Sequence, residues 1–243
     1  MAHLCTHAVT LLSFMAVASW ATAFRIEDGG RTLRIGVPGA DVRGSWSRPA
    51  LTAPQGVDGD FYVQRNALSA VDVKSLFDLQ FNSSFGATLI ADRDPDLLFH
   101  HSAYRVESLL FESDPQLYAK LVDLMLAADA SVWHALHGVV HPEIEYIVYE
   151  QRAGQPLPSI EPHVDNDSVL TLIVLLSRAG RDFAGGLNIF ASPTRSLALE
   201  RGDAVVFRGE LLEHWITPVT SGTRRVLQIE LSAVDAESTF AEL

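Results

Sequence analysis

Two histidines and one aspartate are placed where they could bind a metal ion. His163 and Asp165 are one residue apart, directly before a long apolar run, and His214 opens a strand-like segment far downstream. On a strand, residues i and i+2 point to the same side, so His163 and Asp165 can present an imidazole and a carboxylate to one point. A single H-x-D triplet is common by chance, however, and alone it more often marks a pair of solvated loop residues.

The types of the three side chains indicate which metal they would bind. The ends of facing strands meet in a jelly roll, so His214 can complete a triad with His163 and Asp165. Two histidines and one carboxylate on one face of an octahedral ion leave three positions open, which is the ligand set of non-heme Fe(II) oxygenases. Zinc more often has a third His, Cys or Glu ligand in a tetrahedral site. The set therefore favours Fe(II).

An arginine could bind an anion beside that metal. Arg224 follows the Ser221-Gly222 turn and lies in a strand-like run. A guanidinium that points into a barrel lined by Val, Leu and Ile is unfavourable unless an anion meets it. Because Arg binds carboxylates through two parallel hydrogen bonds, a carboxylate ligand is the expected partner. Arg225 points to the opposite face and is interpreted as solvated, which is also the plain alternative for Arg224.

Short strands that would position these residues fill the second half of the chain. From Ile144 onward, β-branched or aromatic runs alternate with Gly, Pro, Ser and Asp. The runs are EIEYIVYE, SVLTLIVLLS, GLNIFAS, SLALE, GDAVVFRG, EHWITPV and TRRVLQIELS. This spacing is typical of a sandwich or jelly roll. The predicted fold class is mainly β, a cupin-like double-stranded β-helix (jelly roll) braced by N-terminal α-helices.

The bracing elements are predicted from the stretch before those strands. FYVQ, residues 61–64, is read as a strand, and residues 68–79 have apolar side chains at helical spacing with Ser69 as a cap. Asp114 followed by Pro115 is typical of a helix N-terminus, and leucines at helical spacing follow it. A strand and two helices are therefore expected before the jelly roll.

The N-terminal region reads as a leader followed by a linker. Residues 1–23 hold a short apolar run and Ala21-Thr22-Ala23, a small-x-small cleavage site, and the only cysteine, Cys5, lies there. An uncleaved signal anchor is the alternative, but a membrane span needs ~20 apolar residues and this run is shorter. Residues 24–57 read as a linker or transit segment with little order. The domain is predicted over residues 58–243, with its core at 144–232.

Composition and leader limit the partners and the compartment. The formal net charge of −12 and the 48% hydrophobic content describe an acidic globular domain that would repel a phosphate backbone, so no nucleic acid is expected. No stable membrane span is expected after leader cleavage. The secretory pathway, either the ER lumen or secretion, is the predicted location. A complex plastid reached through a bipartite leader and a signal-anchored membrane position are alternatives, and the oligomeric state is open.

The spaced motifs resemble the 2-oxoglutarate- and Fe(II)-dependent dioxygenases, in the branch of the prolyl 4-hydroxylase alpha subunit catalytic domain. The resemblance is close over residues 144–232 and loose before them. The matching features are His163-x-Asp165, His214, Arg224, Gly185-Gly186 before LNIF, Gly202-Asp203 before AVVF, and the pattern H-x3-P-V-x2-G-x-R that begins at His214.

The resemblance implies a set of ligands and a reaction. His163, Asp165 and His214 would bind Fe(II), Arg224 would bind the distal carboxylate of 2-oxoglutarate, and Tyr149 would donate to the same co-substrate. O2 would take the last position, and ascorbate (vitamin C) is expected to support turnover. The enzyme would be an oxidoreductase that hydroxylates a C–H bond and releases succinate and CO2, with peptidyl proline as the leading substrate.

Departures from the family pattern leave other functions open. Leu175 stands where many relatives have a tyrosine, so 2-oxoglutarate binding could be weaker. Arg224 stands where collagen-type prolyl hydroxylases usually have lysine, and Asn188 stands where Thr or Glu is frequent. The alternatives are a dioxygenase that acts on a small molecule and a non-catalytic metal-binding jelly-roll protein.

Overall fold

The computed structural model of the chain describes residues 20–28, 31–38, 57–58, 60–79, 101–191 and 193–234. The helices are α1 (Ala70–Asp78), α2 (Glu107–Ser113) and α3 (Pro115–Val132). The strands are β1 (Trp20–Asp28), β2 (Arg31–Pro38), β3 (Val57–Asp58), β4 (Phe61–Gln64), β5 (Ser102–Arg105), β6 (Val139–Glu150), β7 (Ile160–His163), β8 (Leu170–Leu175), β9 (Phe183–Gly185), β10 (Asn188–Phe190), β11 (Arg195–Leu197), β12 (Ala204–Phe207), β13 (His214–Ile216) and β14 (Val219–Val234).

Two sheets pack face to face. The larger sheet has the order β1-β2-β6-β14-β8-β12-β4-β3, with β5 also paired to β6 and β9 paired to the start of β14. The smaller sheet has the order β11-β10-β13-β7. Apolar side chains of both sheets form one inner core, to which Ile173 and Phe207 contribute from the larger sheet and Phe190 and Ile216 from the smaller. The predicted jelly roll is confirmed.

The positions of its side chains explain why the sequence of strand β8 is almost continuously apolar. Its Leu172 and Val174 pack into the core beneath the helices, whereas Ile173 and Leu175 pack between the two sheets. The strand also has a hydrogen-bonded neighbour on each side, β14 and β12. Because side chains alternate along a strand, a strand covered on both faces needs apolar residues at almost every position.

The helices cover the outer face of the larger sheet, and α1 and α3 begin where the sequence predicts. Ser69 caps α1 in a reciprocal pair with Asp72, and Asp114 caps α3 by accepting from the amide of Leu117, with Pro115 at the first helical position. Both predicted helices and the FYVQ strand are thus confirmed. None of the helices in the described ranges combines the length and apolarity needed to cross a membrane.

Part of the expected linker belongs to the domain in this structure. Strands β1 and β2 form an antiparallel hairpin, and β2 pairs in parallel with β6 through Arg34 and Ile35. Leu33 and Ile35 are buried in the core beneath the helices, so the expectation of little order is wrong for this hairpin. Most of the predicted leader, residues 1–19 with Cys5, lies outside the described residues, and the division at 23 and 57 remains a prediction.

Candidate active site

The structure brings the three predicted metal ligands together. One ligand atom each from His163, Asp165 and His214 lies within 4.8 Å of the others. The Oδ1 atom of Asp165 is 3.4 Å from Nε2 of His163 and 3.6 Å from Nε2 of His214. The side chain of His163 is 28% exposed, whereas those of Asp165 and His214 are 4% and 5% exposed, so the cluster opens on the His163 side.

Two paired strand ends and one turn position the cluster. His163 is the last residue of β7 and lies opposite His214, the first residue of β13, in the antiparallel pairing of these strands. Asp165 lies beyond the end of β7, so the sequence argument that placed both residues of the triplet on one strand is wrong in its geometry. The amide of Asp165 donates to the carbonyl of Gly209, at 3.0 Å, which holds the turn against the chain that leads to His214.

Main-chain carbonyls set the orientation of both imidazoles. Nδ1 of His163 is 2.8 Å from the carbonyl oxygen of Glu161, and Nδ1 of His214 is 3.0 Å from that of Leu212. A carbonyl oxygen only accepts, so the proton of each neutral ring is on Nδ1 and the lone pair of each Nε2 faces the centre. This is the arrangement that a metal-binding histidine needs.

The pKa values of the three groups reflect burial and mutual attraction. Burial would raise the pKa of Asp165, but its contact with His163, the charge of His214 and a hydrogen bond from Thr171 together lower it. Burial lowers the pKa of His214. Burial also acts to lower the pKa of His163, yet Asp165 and the Glu161 carbonyl raise it overall. The carboxylate is therefore held in the ionised form that a metal requires.

Arg224 lies in the inner core with an unsatisfied hydrogen-bonding capacity. The residue is 1% exposed, and its Nη2 donates to Oδ1 of Asn188 at 3.0 Å. Its Nε and Nη1 atoms have no hydrogen-bond partner among the residues that the structure describes. Burial lowers the pKa of Arg224, and Tyr149 acts in the opposite direction. A cation so placed needs an anion, as the sequence argument expected.

Tyr149 lies in the same inner core as Arg224. It lies opposite Arg224 in the pairing of β6 with β14, and the guanidinium carbon is 5.0 Å from the centre of its ring. Burial raises the pKa of Tyr149 to about 12, so its hydroxyl stays protonated and able to donate at neutral pH. The ring also packs against that of His101, with the ring centres 5.2 Å apart.

Gly186 leaves the space that the Arg224 side chain occupies. A Cβ atom at this position would lie 2.8 Å from Cδ of Arg224 and 2.9 Å from Cγ2 of Val219. Its φ of 62° is also in the left-handed region that favours glycine. The glycine pair of the sequence motif thus has a steric role beside the arginine.

Comparison with known proteins identifies the fold. No protein-family model and no curated protein matches the chain. A Pseudomonas putida prolyl-4-hydroxylase aligns with 16% identity and a TM-score of 0.53, over 72% of this chain and 93% of that one. The non-heme alpha-ketoglutarate-dependent epimerase SnoN of nogalamycin biosynthesis aligns with 12% identity and a TM-score of 0.52, over 72% and 78%.

A third structure shares the architecture at a similar distance. It is the Trichoplax adhaerens prolyl hydroxylase in complex with a peptide of the hypoxia inducible factor oxygen degradation domain, at 12% identity and a TM-score of 0.52, over 76% of this chain and 88% of that one. The chain has the fold of the 2-oxoglutarate- and Fe(II)-dependent oxygenases. The low identities show this fold and leave the reaction to be argued from the site.

The residues of this oxygenase fold fit both an Fe(II) ion and a dicarboxylate. Two imidazoles whose Nε2 atoms face the centre and one ionised carboxylate are the donor set of non-heme Fe(II). The two unpartnered nitrogens of buried Arg224 fit a carboxylate, which accepts from both edges of a guanidinium. Leu175, which stands where relatives often have tyrosine, lies in the inner core and can supply only apolar contact.

Three glutamates continue the inner face of the larger sheet beyond the metal cluster. Glu230 lies opposite Thr171 in the pairing of β14 with β8, and opposite Glu143 in the pairing with β6. Burial, with the charges of Asp165, Glu145 and Glu143, raises the pKa of Glu230 to about 7, although Gln228 donates to it. This end of the inner face therefore carries several carboxylates, one of which, that of Glu143, is paired with Arg105 at 2.7 Å.

Two residues of the site were missed or unassigned in the sequence. Thr171 donates to Oδ2 of Asp165, and the signal for it is a polar residue inside a buried apolar strand, which must find a hydrogen-bond partner. The sequence indicates no partner for Asn188, and in the structure it accepts from Arg224. Phe207, which packs edge-on against His214 with ring centres 4.6 Å apart, belongs to a predicted strand.

Proposed function

We propose that the protein is an Fe(II)- and 2-oxoglutarate-dependent dioxygenase that hydroxylates a C–H bond and releases succinate and CO2. The observation that carries the proposal is Arg224, a buried guanidinium with two nitrogens unpartnered among the described residues, in the same inner core as a His-Asp-His cluster. A jelly roll that only bound a metal would have no use for a buried cation with unused donors. This favours the enzyme over the non-catalytic alternative.

The chain's own residues bind and orient the reactants. His163, Asp165 and His214 would bind Fe(II) on one face, which leaves the other face to the co-substrate and O2. Arg224 would pair with the distal carboxylate of 2-oxoglutarate, and the protonated Tyr149 hydroxyl would donate to the same group. When bound, Fe(II) with 2-oxoglutarate and O2 supplies the oxidising power for the C–H bond. Arg224 and Tyr149 are each 1% exposed, so their contacts with the co-substrate would be shielded from water.

A peptidyl prolyl residue is the leading substrate. Support comes from two of the similar structures, which are prolyl hydroxylases, one of them with a bound peptide. A small-molecule substrate is the second candidate, since the similar epimerase belongs to nogalamycin biosynthesis. Ascorbate is proposed as the reductant that keeps the iron in the Fe(II) state.

A turnover assay tests the proposal. The full chain is incubated with Fe(II), ascorbate and 2-oxoglutarate, with panels of proline-rich peptides and small molecules, while succinate is measured and hydroxylated products are sought by mass spectrometry. The Asp165→Ala variant removes a metal ligand and should be inactive. The matched control is Glu161→Ala, because this exposed residue contributes only its main-chain carbonyl to the site.

The result that supports the proposal is succinate from the unaltered chain and from Glu161→Ala, but not from Asp165→Ala. Equal succinate from the unaltered chain and Asp165→Ala across all panels would refute it. A product that carries one added oxygen on proline would establish the leading substrate, and oxidation of small molecules alone would establish the second.

A further inference from the structure

The two oxygens of Asp165 have different surroundings. Oδ1 is the oxygen that lies 3.4 Å and 3.6 Å from the Nε2 atoms of His163 and His214. Oδ2 accepts a hydrogen bond of 2.5 Å from Oγ1 of Thr171. One oxygen therefore faces the centre of the cluster, and the other is held by a hydroxyl group.

Thr171 is itself held in place by its neighbours. It is fully buried on β8, and its Oγ1 is 3.0 Å from Oγ of Ser168, whose single hydrogen can go either to Thr171 or to the carbonyl of Leu170 at 2.9 Å. An ionised carboxylate can only accept, so the hydrogen of Thr171 points to Asp165.

Gly209 leaves room for this pair of hydroxyls. A Cβ atom at Gly209 would lie 2.3 Å from Oγ1 of Thr171 and 2.8 Å from Oγ of Ser168. The carbonyl of the same glycine accepts from the amide of Asp165. The chain around the turn is thus shaped so that a hydroxyl reaches Oδ2.

The number of metal positions that Asp165 occupies determines what else can bind. A carboxylate binds a metal through one oxygen or through both. With two histidines and one carboxylate oxygen, an octahedral ion keeps three open positions, and a second carboxylate oxygen would fill one of them. A 2-oxo acid that chelates takes two positions, so all three are needed if O2 is also to bind.

We propose that Thr171 is a positioning residue that keeps Asp165 monodentate by holding Oδ2 away from the metal. The inference rests on the proposed Fe(II) function and deepens it. It assigns to one hydroxyl on β8 the task of reserving a coordination position for the co-substrate.

Two matched pairs of variants test the role of the hydroxyl. Thr171→Val keeps the shape and removes the hydroxyl. Thr171→Ser and Thr171→Ala differ from each other only in the hydroxyl, so they keep the test valid if the valine variant does not fold. Ser177→Ala, which removes another fully buried hydroxyl from the chain just after β8, is the control for a general loss of buried polarity.

Two affinities are measured without reference to turnover. The first is the affinity of each metal-free protein for Co(II), by titration calorimetry, and the second is the affinity of each Co(II)-loaded protein for 2-oxoglutarate. The valine and alanine variants should retain Co(II) binding, because a carboxylate released from the hydroxyl can bind the metal through both oxygens. They should bind 2-oxoglutarate about 10–100-fold more weakly, as expected when an outer hydrogen bond that orients a ligand is lost, while Thr171→Ser and Ser177→Ala stay near the unaltered chain.

The outcomes separate this inference from the proposed function. Absence of Co(II) binding by the unaltered, folded chain would overturn the metal centre and with it the inference. The unaltered chain could bind Co(II) strongly while the valine and alanine variants match its affinities for Co(II) and 2-oxoglutarate. That result would overturn only the role of Thr171. An equal loss of 2-oxoglutarate affinity in Ser177→Ala would also overturn the role of Thr171, because it would show that any buried hydroxyl has this effect.

Discussion

Arg224 carries a positive charge in a place that water does not reach. Its side chain is fixed on one side by Asn188 and faces the ring of Tyr149 on the other. Its neighbour Arg225 points to the opposite face of the sheet, where its guanidinium lies 5.7 Å from the ring centre of Phe77. Two adjacent arginines therefore have separate environments, and only the first can bind a ligand of the inner core.

Replacement of Arg224 by alanine should weaken 2-oxoglutarate binding selectively. Hydrogen bonds to charged groups contribute about 1.5–3 kcal/mol, so the 2-oxoglutarate concentration for half-maximal succinate release should rise by about one to two orders of magnitude. Co(II) affinity should change little, because Arg224 contacts none of the three ligands. The Arg225→Ala variant is the control, and an equal rise in both variants would contradict the assignment.

Glu230 should make stability depend on pH. Its pKa is near 7 in the folded chain and has the ordinary value of 4.5 in the unfolded chain, so between these pH values the folded state keeps a proton that the unfolded state has released. The free energy of unfolding therefore falls as the pH rises from about 4.5 to 7.

Glu230→Gln should remove that dependence. At pH 8 the variant should be more stable than the unaltered chain by on the order of 2 kcal/mol, and the advantage should shrink as the pH falls toward 4.5. Urea unfolding of the metal-free protein at several pH values measures it. A stability difference that does not change with pH would show that Glu230 titrates normally.

At the scale of elements, the turn between β9 and β10 leaves space for the side chain of Arg224. Gly186 has no side chain where the Arg224 side chain passes, and both it and Gly180 have φ values in the left-handed region, 62° and 73°. A Cβ at Gly180 would meet nothing within 4 Å. Substitution of either glycine would therefore strain the backbone, but only a side chain at Gly186 would also overlap its neighbours.

Gly186→Ala should lower 2-oxoglutarate affinity more than Gly180→Ala does. Gly180→Ala should lose about 1–2 kcal/mol of stability, because alanine disfavours a left-handed backbone, and Gly186→Ala should lose at least as much. Only the first should displace Arg224, which a calorimetric titration of 2-oxoglutarate into the Co(II)-loaded protein would detect. Similar affinities in the two variants would show that the arginine adjusts without loss.

Elements with a strong pattern could be predicted, and elements without one could not. Strands β6, β8 and β12 are dense in apolar and β-branched residues, and the caps of α1 and α3 are local, so the sequence predicts them. Strand β7 contains Pro162 and lies at a sheet edge, where the alternation signal is weak. Strand β5 is short and only partly buried, and α2 spans two turns, so neither gives a clear periodicity.

The candidate site was predictable in its members but not in its contacts. The types and order of His163, Asp165 and His214 are sequence properties, and the sequence alone already indicates a metal. The pairing of Tyr149 with Arg224 and the bond of Thr171 to Asp165 depend on strand register and on a turn, which distant parts of the chain determine.

At the scale of the whole molecule, the N-terminal hairpin joins the main core. Leu33, Ile35 and Val37 alternate with polar or small residues, which is a strand signal that the Gly, Pro and Arg content of the region obscures. Leu33 and Ile35 pack with residues of the helices and of the larger sheet. The segment therefore contributes to the stability of the domain in addition to extending its sheet.

Ile35→Ala should destabilise the domain. Truncation of a buried isoleucine to alanine costs about 2–5 kcal/mol, and Ile35 is fully buried. Urea unfolding of the full chain measures the loss, with Val71→Ala, a 75% exposed position, as a control that should change stability by less than about 0.5 kcal/mol. A loss of that small size at Ile35 would mean that residues 31–38 do not pack on the domain in solution.

Mutational drift should affect the metal centre unevenly. Both histidines take their orientation from carbonyl oxygens two residues earlier in the main chain, and these oxygens persist whatever side chains positions 161 and 212 carry. The carboxylate instead depends on the hydroxyl of Thr171 and on the room that Gly209 leaves. Related sequences can therefore vary at positions 161 and 212 without loss of the histidine orientation. Changes at Thr171 or Gly209 would be the first to disturb the metal centre.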